Sequence, residues 1–128
     1  SFSKHQRGKM VIHMDRDSVR MRVHRRLFAQ ALPQVPLRCS GRLELSVFEG
    51  VPEGTRLVAV VCLEGLTEPQ LGSWLTAARG KGFNFEWYAL VPRGSTLFDW
   101  VDGLGPRGVL YEPFDIHSLK RELLLPFA

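Results

Sequence analysis

No aspartate occurs between Asp17 and Asp99, and only two cysteines, Cys39 and Cys62, occur in the whole chain of 128 residues. Two thiols in apolar stretches read as buried free cysteines of a reducing cytosol, a reading that outweighs a disulfide, and no metal-ligand spacing is present. Long apolar runs are equally scarce. The longest, Leu57-Val-Ala-Val-Val-Cys-Leu63, falls far short of the roughly 20 residues that cross a bilayer, and the amino-terminal SFSKHQRGK has no apolar signal core. No membrane partner is therefore expected, and the expected location is cytoplasmic. Repeats and low-complexity tracts are also missing. The start at Ser1, without a methionine, is the expected mark of a segment excised from a longer protein.

What is present suits one folded domain. At 14.5 kDa, 45% hydrophobic and 23% charged, with a mean hydropathy of -0.07, the chain is of the size at which roughly two-thirds of the unfolded surface is buried. Charge is uneven. Residues 1 to 42 carry ten Lys or Arg against Asp15 and Asp17, a balance of +8, so the rest of the chain carries -4. Such an end attracts polyanions or an acidic protein face at long range, although a solvated helix face with a basic tail over residues 1–9 explains it as simply.

Elements follow from periodicity. Met10 to Met14 reads as a buried strand, Asp17 or Ser18 as a helix N-cap, and Val19, Val23, Leu27 and Phe28 as the apolar side of a helix that ends before Pro33. Pro36 to Cys39 is expected to form a second strand. RLELSVFE fits both strand alternation and a short helix, with the helix preferred. The uniformly apolar, β-branched run from Leu57 to Leu63 is what a central strand covered on both faces requires. Pro69 suits the first turn of a helix that carries Leu71, Trp74, Leu75 and Ala78 to Gly80. A fourth strand over Phe83 to Val91, a short helix over Thr96 to Leu104, a fifth strand over Val109 to Tyr111 and a last helix over Ile116 to Leu124 complete the pattern. Strand and helix alternating five times imply an α/β fold: a five-stranded, doubly wound parallel sheet of flavodoxin-like topology spanning residues 10–128. Ligand chemistry in such sheets gathers at the carboxyl ends of the strands.

Two stretches carry a resemblance. GPRGVLYEPFD, Gly105 to Asp115, resembles the Gly-Ala-x-Gly-Tyr-Leu-x-Lys-Pro-Phe-Asp pattern of two-component response-regulator receiver domains. VIHMDRDSVRMRVHRRLF resembles the same family's first strand, acidic pair and Arg-rich first helix. The family receives a phosphoryl group on an aspartate at the third strand's end, where Mg²⁺ and a lysine neutralise the phosphoryl oxygens. Carried over residue by residue, the first acid matches Asp15, and the second, a metal ligand, falls on Arg16, which cannot ligate a metal. The acceptor falls on Val61 or Cys62, the hydroxyl residue on Leu90, the switch aromatic on Val109 and the lysine on Glu112. The resemblance thus implies a degenerate pseudo-receiver with no catalytic residue, metal or cofactor, whose Glu112-Pro113 bond is cis. Arg16 is expected to stand where the metal stood, paired with Asp15, Asp17 or Glu112.

With phosphoryl chemistry gone, an interaction surface is what the family's plan leaves. It falls on Leu97, Trp100, Val101, Tyr111, Leu119 and Lys120, and the expected function is a protein-protein interaction or dimerisation module of a bacterial signalling protein, with the parent chain's own domains, a signalling protein or a second copy as partner. The alternative is a nucleic-acid or polyanion-binding domain using Arg20, Arg22, Arg25 and Arg26, a stretch that lacks stacking aromatics. A third reading is a redox sensor built on Cys62, or a weakly active receiver with Glu64 or Asp17 standing in. Bland readings apply elsewhere. His13 is expected to be a hydrogen-bonded core residue, His24 and His117 have no ligand spacing, and Gly103-x-Gly-x-x-Gly108 lies between helix and strand, where phosphate cradling is not built.

Overall fold

The computed structural model of the chain describes residues 8–123. Five strands, β1 (Lys9–Met14), β2 (Leu37–Ser40), β3 (Arg56–Cys62), β4 (Asn84–Val91) and β5 (Gly108–Tyr111), form one sheet in the order β2-β1-β3-β4-β5, every pair parallel. Three α-helices, α1 (Ser18–Ala31), α2 (Glu68–Arg79) and α3 (Ile116–Leu123), join them. The expected doubly wound sheet is therefore present. β1 begins at Lys9, inside the stretch expected to be tail; the rest of that tail, residues 1–7, and Leu124 of the expected last helix lie outside the described residues.

Strand alternation sorts the core into two layers. Ile12, Met14, Leu57, Ala59, Val61, Trp87, Ala89 and Val91 pack with Leu71, Trp74, Leu75 and Ala78 of α2. Val11, Val58, Val60, Cys62, Tyr88 and Leu90 pack with Phe28 of α1 and Leu119 and Leu123 of α3. β3 meets both layers, so all its residues from Leu57 to Cys62 are buried, which is why the run is apolar without alternation.

Two expected helices are shorter than the sequence suggests. RLELSVFE holds only a 3₁₀ turn, Leu45–Phe48, whose Val47 and Phe48 enter the α2 layer. Thr96 to Leu104 holds only the 3₁₀ turn Asp102–Leu104. The second departure has a local cause. Gly94, Gly103 and Gly105 crowd the segment between Pro92 and Pro106, and glycine disfavours helix by nearly 1 kcal/mol per position. Gly105 itself adopts a left-handed conformation, φ +69°, so the glycine-rich fingerprint is a turn into β5.

The largest correction concerns α1. Val19 and Val23, expected to be buried, are 67% and 54% exposed, whereas His24, Phe28 and Ala31 are buried. The helix is turned so that Arg20 and His24 face the sheet's carboxyl edge. Asp17, not Ser18, is the N-cap, its side chain accepting from the Val19 and Arg20 amides.

Candidate functional site

The parallel register aligns the ends of β1, β3, β4 and β5 along one edge: Met14 beside Val61, Cys62 beside Leu90 and Val91 beside Tyr111. Asp15, Glu64 and Glu112 follow directly in the loops. Asp15 is buried, its side chain fully so. Arg20, one turn into α1, reaches back to it with both edges of its guanidinium, Nε to Oδ2 and Nη2 to Oδ1, each at 2.7 Å. Nη2 also lies 2.7 Å from Glu64 Oε2, and the Asp17 amide donates to Asp15 Oδ1 at 2.8 Å. The hydrogen bonds to Asp15 hold the Arg20 guanidinium above its already high range. A permanent cation is thereby fixed among the strand-end carboxylates.

Arg16 does not play that part. Its side chain is exposed, makes no ion pair among the described residues, and lies over Gly65, whose absent Cβ leaves the room for it. There it borders a cleft of about 450 Å³ with Arg42, Leu43, Glu64, Leu66 and Trp74. The expected pairing of Arg16 with Asp15, Asp17 or Glu112 is thus corrected. Asp15 belongs to Arg20 and Glu112 to His24. Glu64, offered in the sequence as a stand-in acceptor, is an ion-pair partner of Arg20.

Glu112 stands at the end of β5, before a cis Glu112-Pro113 bond. Its Oε1 accepts from the Arg93 amide and its Oε2 meets His24 Nε2, both at 2.9 Å. The acid thereby joins the β4 loop, the β5 loop and α1.

Of the two positions expected to match the acceptor, Val61 points into the α2 layer and Cys62 into the layer of α1. Burial pushes the Cys62 thiol up to about 12, with the charges of Asp15 and Glu64 adding to the rise. A thiol so placed favours its protonated form near neutral pH, which disfavours the reactivity that thiolates provide. Leu90 is buried in the same layer and Val109 packs against the other.

Below this edge lies a cluster the sequence does not announce. His13 is fully buried, between the rings of His24 at 5.7 Å and Phe28 at 5.0 Å. Among the described residues neither of its ring nitrogens has a hydrogen-bond partner, nor has Nδ1 of His24. The expectation that His13 is a hydrogen-bonded core residue is therefore wrong in its hydrogen bonding. Burial, with His24 beside it, lowers the His13 pKa to about 4, so the ring is neutral at neutral pH. His13, Asp15 and His24 each offer a ligand-type atom, all within 4.8 Å of one another.

The expected interaction face divides. Val101 and Leu119 are core residues at 0% exposure and have no surface to offer. Leu97 and Trp100 are half-buried, and Tyr111 and Lys120 are exposed. Phe98, missed by the sequence reading, is exposed and stacks on Trp100 at 5.3 Å with an 11° tilt. Tyr111, two residues beyond Val109, stands on the same sheet face as Trp100. Among the four arginines expected to meet polyanions, Arg20 is turned inward and Arg22, Arg25 and Arg26 remain exposed.

Comparison with solved structures agrees with this architecture. A response-regulator receiver protein from Pseudoalteromonas atlantica superposes with a TM-score of 0.69 at 12% identity, covering 92% of this chain and 96% of that one. A CheY-like receiver domain from Methanospirillum hungatei gives 0.63 at 13% identity over 93% and 95%, and a receiver domain from Clostridium thermocellum 0.63 at 12% over 93% and 93%. No family model matches the sequence, and no curated protein does. The chain has the response-regulator receiver fold.

Proposed function

We propose that this receiver-fold domain is a non-phosphorylatable signalling module that works by protein-protein contact. The observation that carries the reading is the Arg20 guanidinium between Asp15 and Glu64. A receiver's chemistry needs a divalent cation among strand-end carboxylates, an acceptor aspartate and a lysine. Here a side-chain cation that no ligand exchange removes holds the first acid, a protonated thiol stands at Cys62, and an acid, Glu112, is tied to His24.

Without a switchable acyl phosphate, signalling depends on a surface that is always presented. Phe98, Trp100 and Tyr111 at the β5 edge supply one, with Lys120 nearby in sequence. Aromatic residues of this kind carry a disproportionate share of interface energy. Homodimerisation through this edge is the simplest form of the contact, and sedimentation velocity over a concentration series tests it. The expected result is reversible self-association that is insensitive to salt and is lost in Trp100→Ala; a wild-type protein that stays monomeric throughout, or a variant that associates equally well, contradicts it.

A further inference from the structure

His13, Asp15 and His24 converge from β1 and α1, and three of the four imidazole nitrogens they bring are buried with no hydrogen-bond partner among the described residues. An unpartnered buried polar atom is costly, about 1–3 kcal/mol, and native structures hold few of them. Three in one contact is a concentration that calls for a ligand. We propose that this cluster binds one divalent transition-metal ion of the Zn²⁺ class, with a His13 ring nitrogen, His24 Nδ1 and Asp15 Oδ2 as ligands.

The chemistry of each atom supports the assignment. His24 Nε2 faces only the Glu112 carboxylate, so it carries the proton and leaves Nδ1 as a bare lone pair. A carboxylate behind a ligating imidazole is the usual outer support of a metal site, fixing the tautomer and raising basicity. Asp15 Oδ2 accepts a single hydrogen bond, from Arg20 Nε, whereas Oδ1 accepts two. Oδ2 therefore keeps a lone pair to give. Two imidazoles and one carboxylate suit Zn²⁺ or Co²⁺ and not the all-oxygen preference of Mg²⁺ or Ca²⁺.

Geometry and charge are compatible with such an ion. Ligands about 2.0–2.1 Å from a tetrahedral Zn²⁺ lie roughly 3.4 Å apart, so atoms within 4.8 Å close on the ion by small ring rotations. The ion's two positive charges together with that of Arg20 match the three carboxylates Asp15, Glu64 and Glu112. Phe28 beside His13 and Phe114, 4.7 Å from His24, shield the position from water. This site is distinct from a receiver's Mg²⁺ site in its ligands, since it uses both histidines and lies toward α1.

The test is titration of chelator-stripped protein with Co²⁺ and Zn²⁺, followed by calorimetry and by the visible absorption of bound Co²⁺. One ion per chain is expected, with Zn²⁺ displacing Co²⁺. His24→Gln should weaken binding at least about 100-fold, and Glu112→Gln, which removes only the outer support, about 10- to 100-fold. A His5→Ala/His117→Ala double variant should bind as the wild type does. Because His13 substitutions threaten the core, ¹⁵N spectra of the wild-type imidazoles give an independent readout: Zn²⁺ should move the ring nitrogens of His13 and His24 and leave those of His5 and His117 in place. Absence of saturable one-to-one binding, binding unchanged in His24→Gln, or shifts confined to His5 and His117 would overturn the proposal, and the orphaned nitrogens would then be satisfied by buried water.

Discussion

Arg20 grips Asp15 through Nε and Nη2, each at 2.7 Å, and extends the same Nη2 to Glu64. A carboxylate with no solvent exposure is thereby neutralised from a residue five positions along the chain. Removing Arg20 leaves Asp15 buried with only the Asp17 amide to support its charge. Breaking a buried pair costs about 3–5 kcal/mol, and the residual exposure of Arg20 reduces this to about 2–3 kcal/mol for Arg20→Ala. Urea denaturation should show that loss, and Arg20→Lys should recover only part of it because an ammonium cannot reproduce the two-edged contact.

The reactivity of Cys62 reads out its protonation state. Burial pushes this thiol to about 12, so alkylation by iodoacetamide at pH 8 should proceed only through unfolding, while urea exposes it fully. Cys39, half-buried on β2, should be modified first. Mass spectrometry of the alkylated peptides checks the order, and rapid modification of native Cys62 would favour the reactive-thiol reading.

Asp17 fixes the start of α1 and so the reach of Arg20. Hydrogen bonds from the Arg20 and Val19 amides hold its carboxyl below the ordinary 3.8. A carboxyl depressed in the folded state adds stability that is complete above the unfolded value and is lost as pH falls through the folded one. Asp17→Ala should therefore be less stable than wild type at pH 7, with the gap narrowing below about pH 4. Asp17→Ser, which caps without titrating, should retain stability on acidification better than wild type.

The exposed Arg22, Arg25 and Arg26 offer a second charged surface, now without Arg20. Duplex DNA at physiological salt should show no saturable complex, since with Arg20 turned inward only Arg22, Arg25 and Arg26 of α1 remain to neutralise phosphates. A complex that weakens steeply with salt and disappears on charge reversal of Arg25 and Arg26 would favour the polyanion reading over the aromatic edge.

Much of this fold is legible in the sequence, because β1, β3, β4 and α2 are set by local apolar pattern and local caps. The orientation of α1 is not. Periodicity weighs only apolarity, so it buried Val19 and Val23, whereas the buried side is decided by partners for Arg20 and His24. The Arg20 contact did leave a signal: with Asp17 as N-cap, Arg20 falls at the third helical position, one turn in and facing the strand end. No local signal joins His24 to Glu112, 88 residues away, or brings His13 against His24. The missing helix over Thr96 to Leu104 is the opposite case. Gly103 lies within it and Gly94 and Gly105 flank it, and they outweigh the apolar spacing of Leu97, Trp100 and Val101. The same apolar spacing hides Phe98, which is exposed and stacks on the half-buried Trp100.

We propose that a fixed Arg20 cation stands in place of switchable phosphoryl chemistry at the sheet's carboxyl edge. Its most direct test is an amide ¹H-¹⁵N spectrum of the ¹⁵N-labelled protein titrated with Mg²⁺ and beryllofluoride, a mimic of an acyl phosphate. The prediction is that Asp15 to Arg20, Cys62 to Gly65 and Glu112 keep their chemical shifts at saturating concentrations of both. Saturable, Mg²⁺-dependent shifts at those three loops would contradict it and return the domain to the phosphoryl-responsive class.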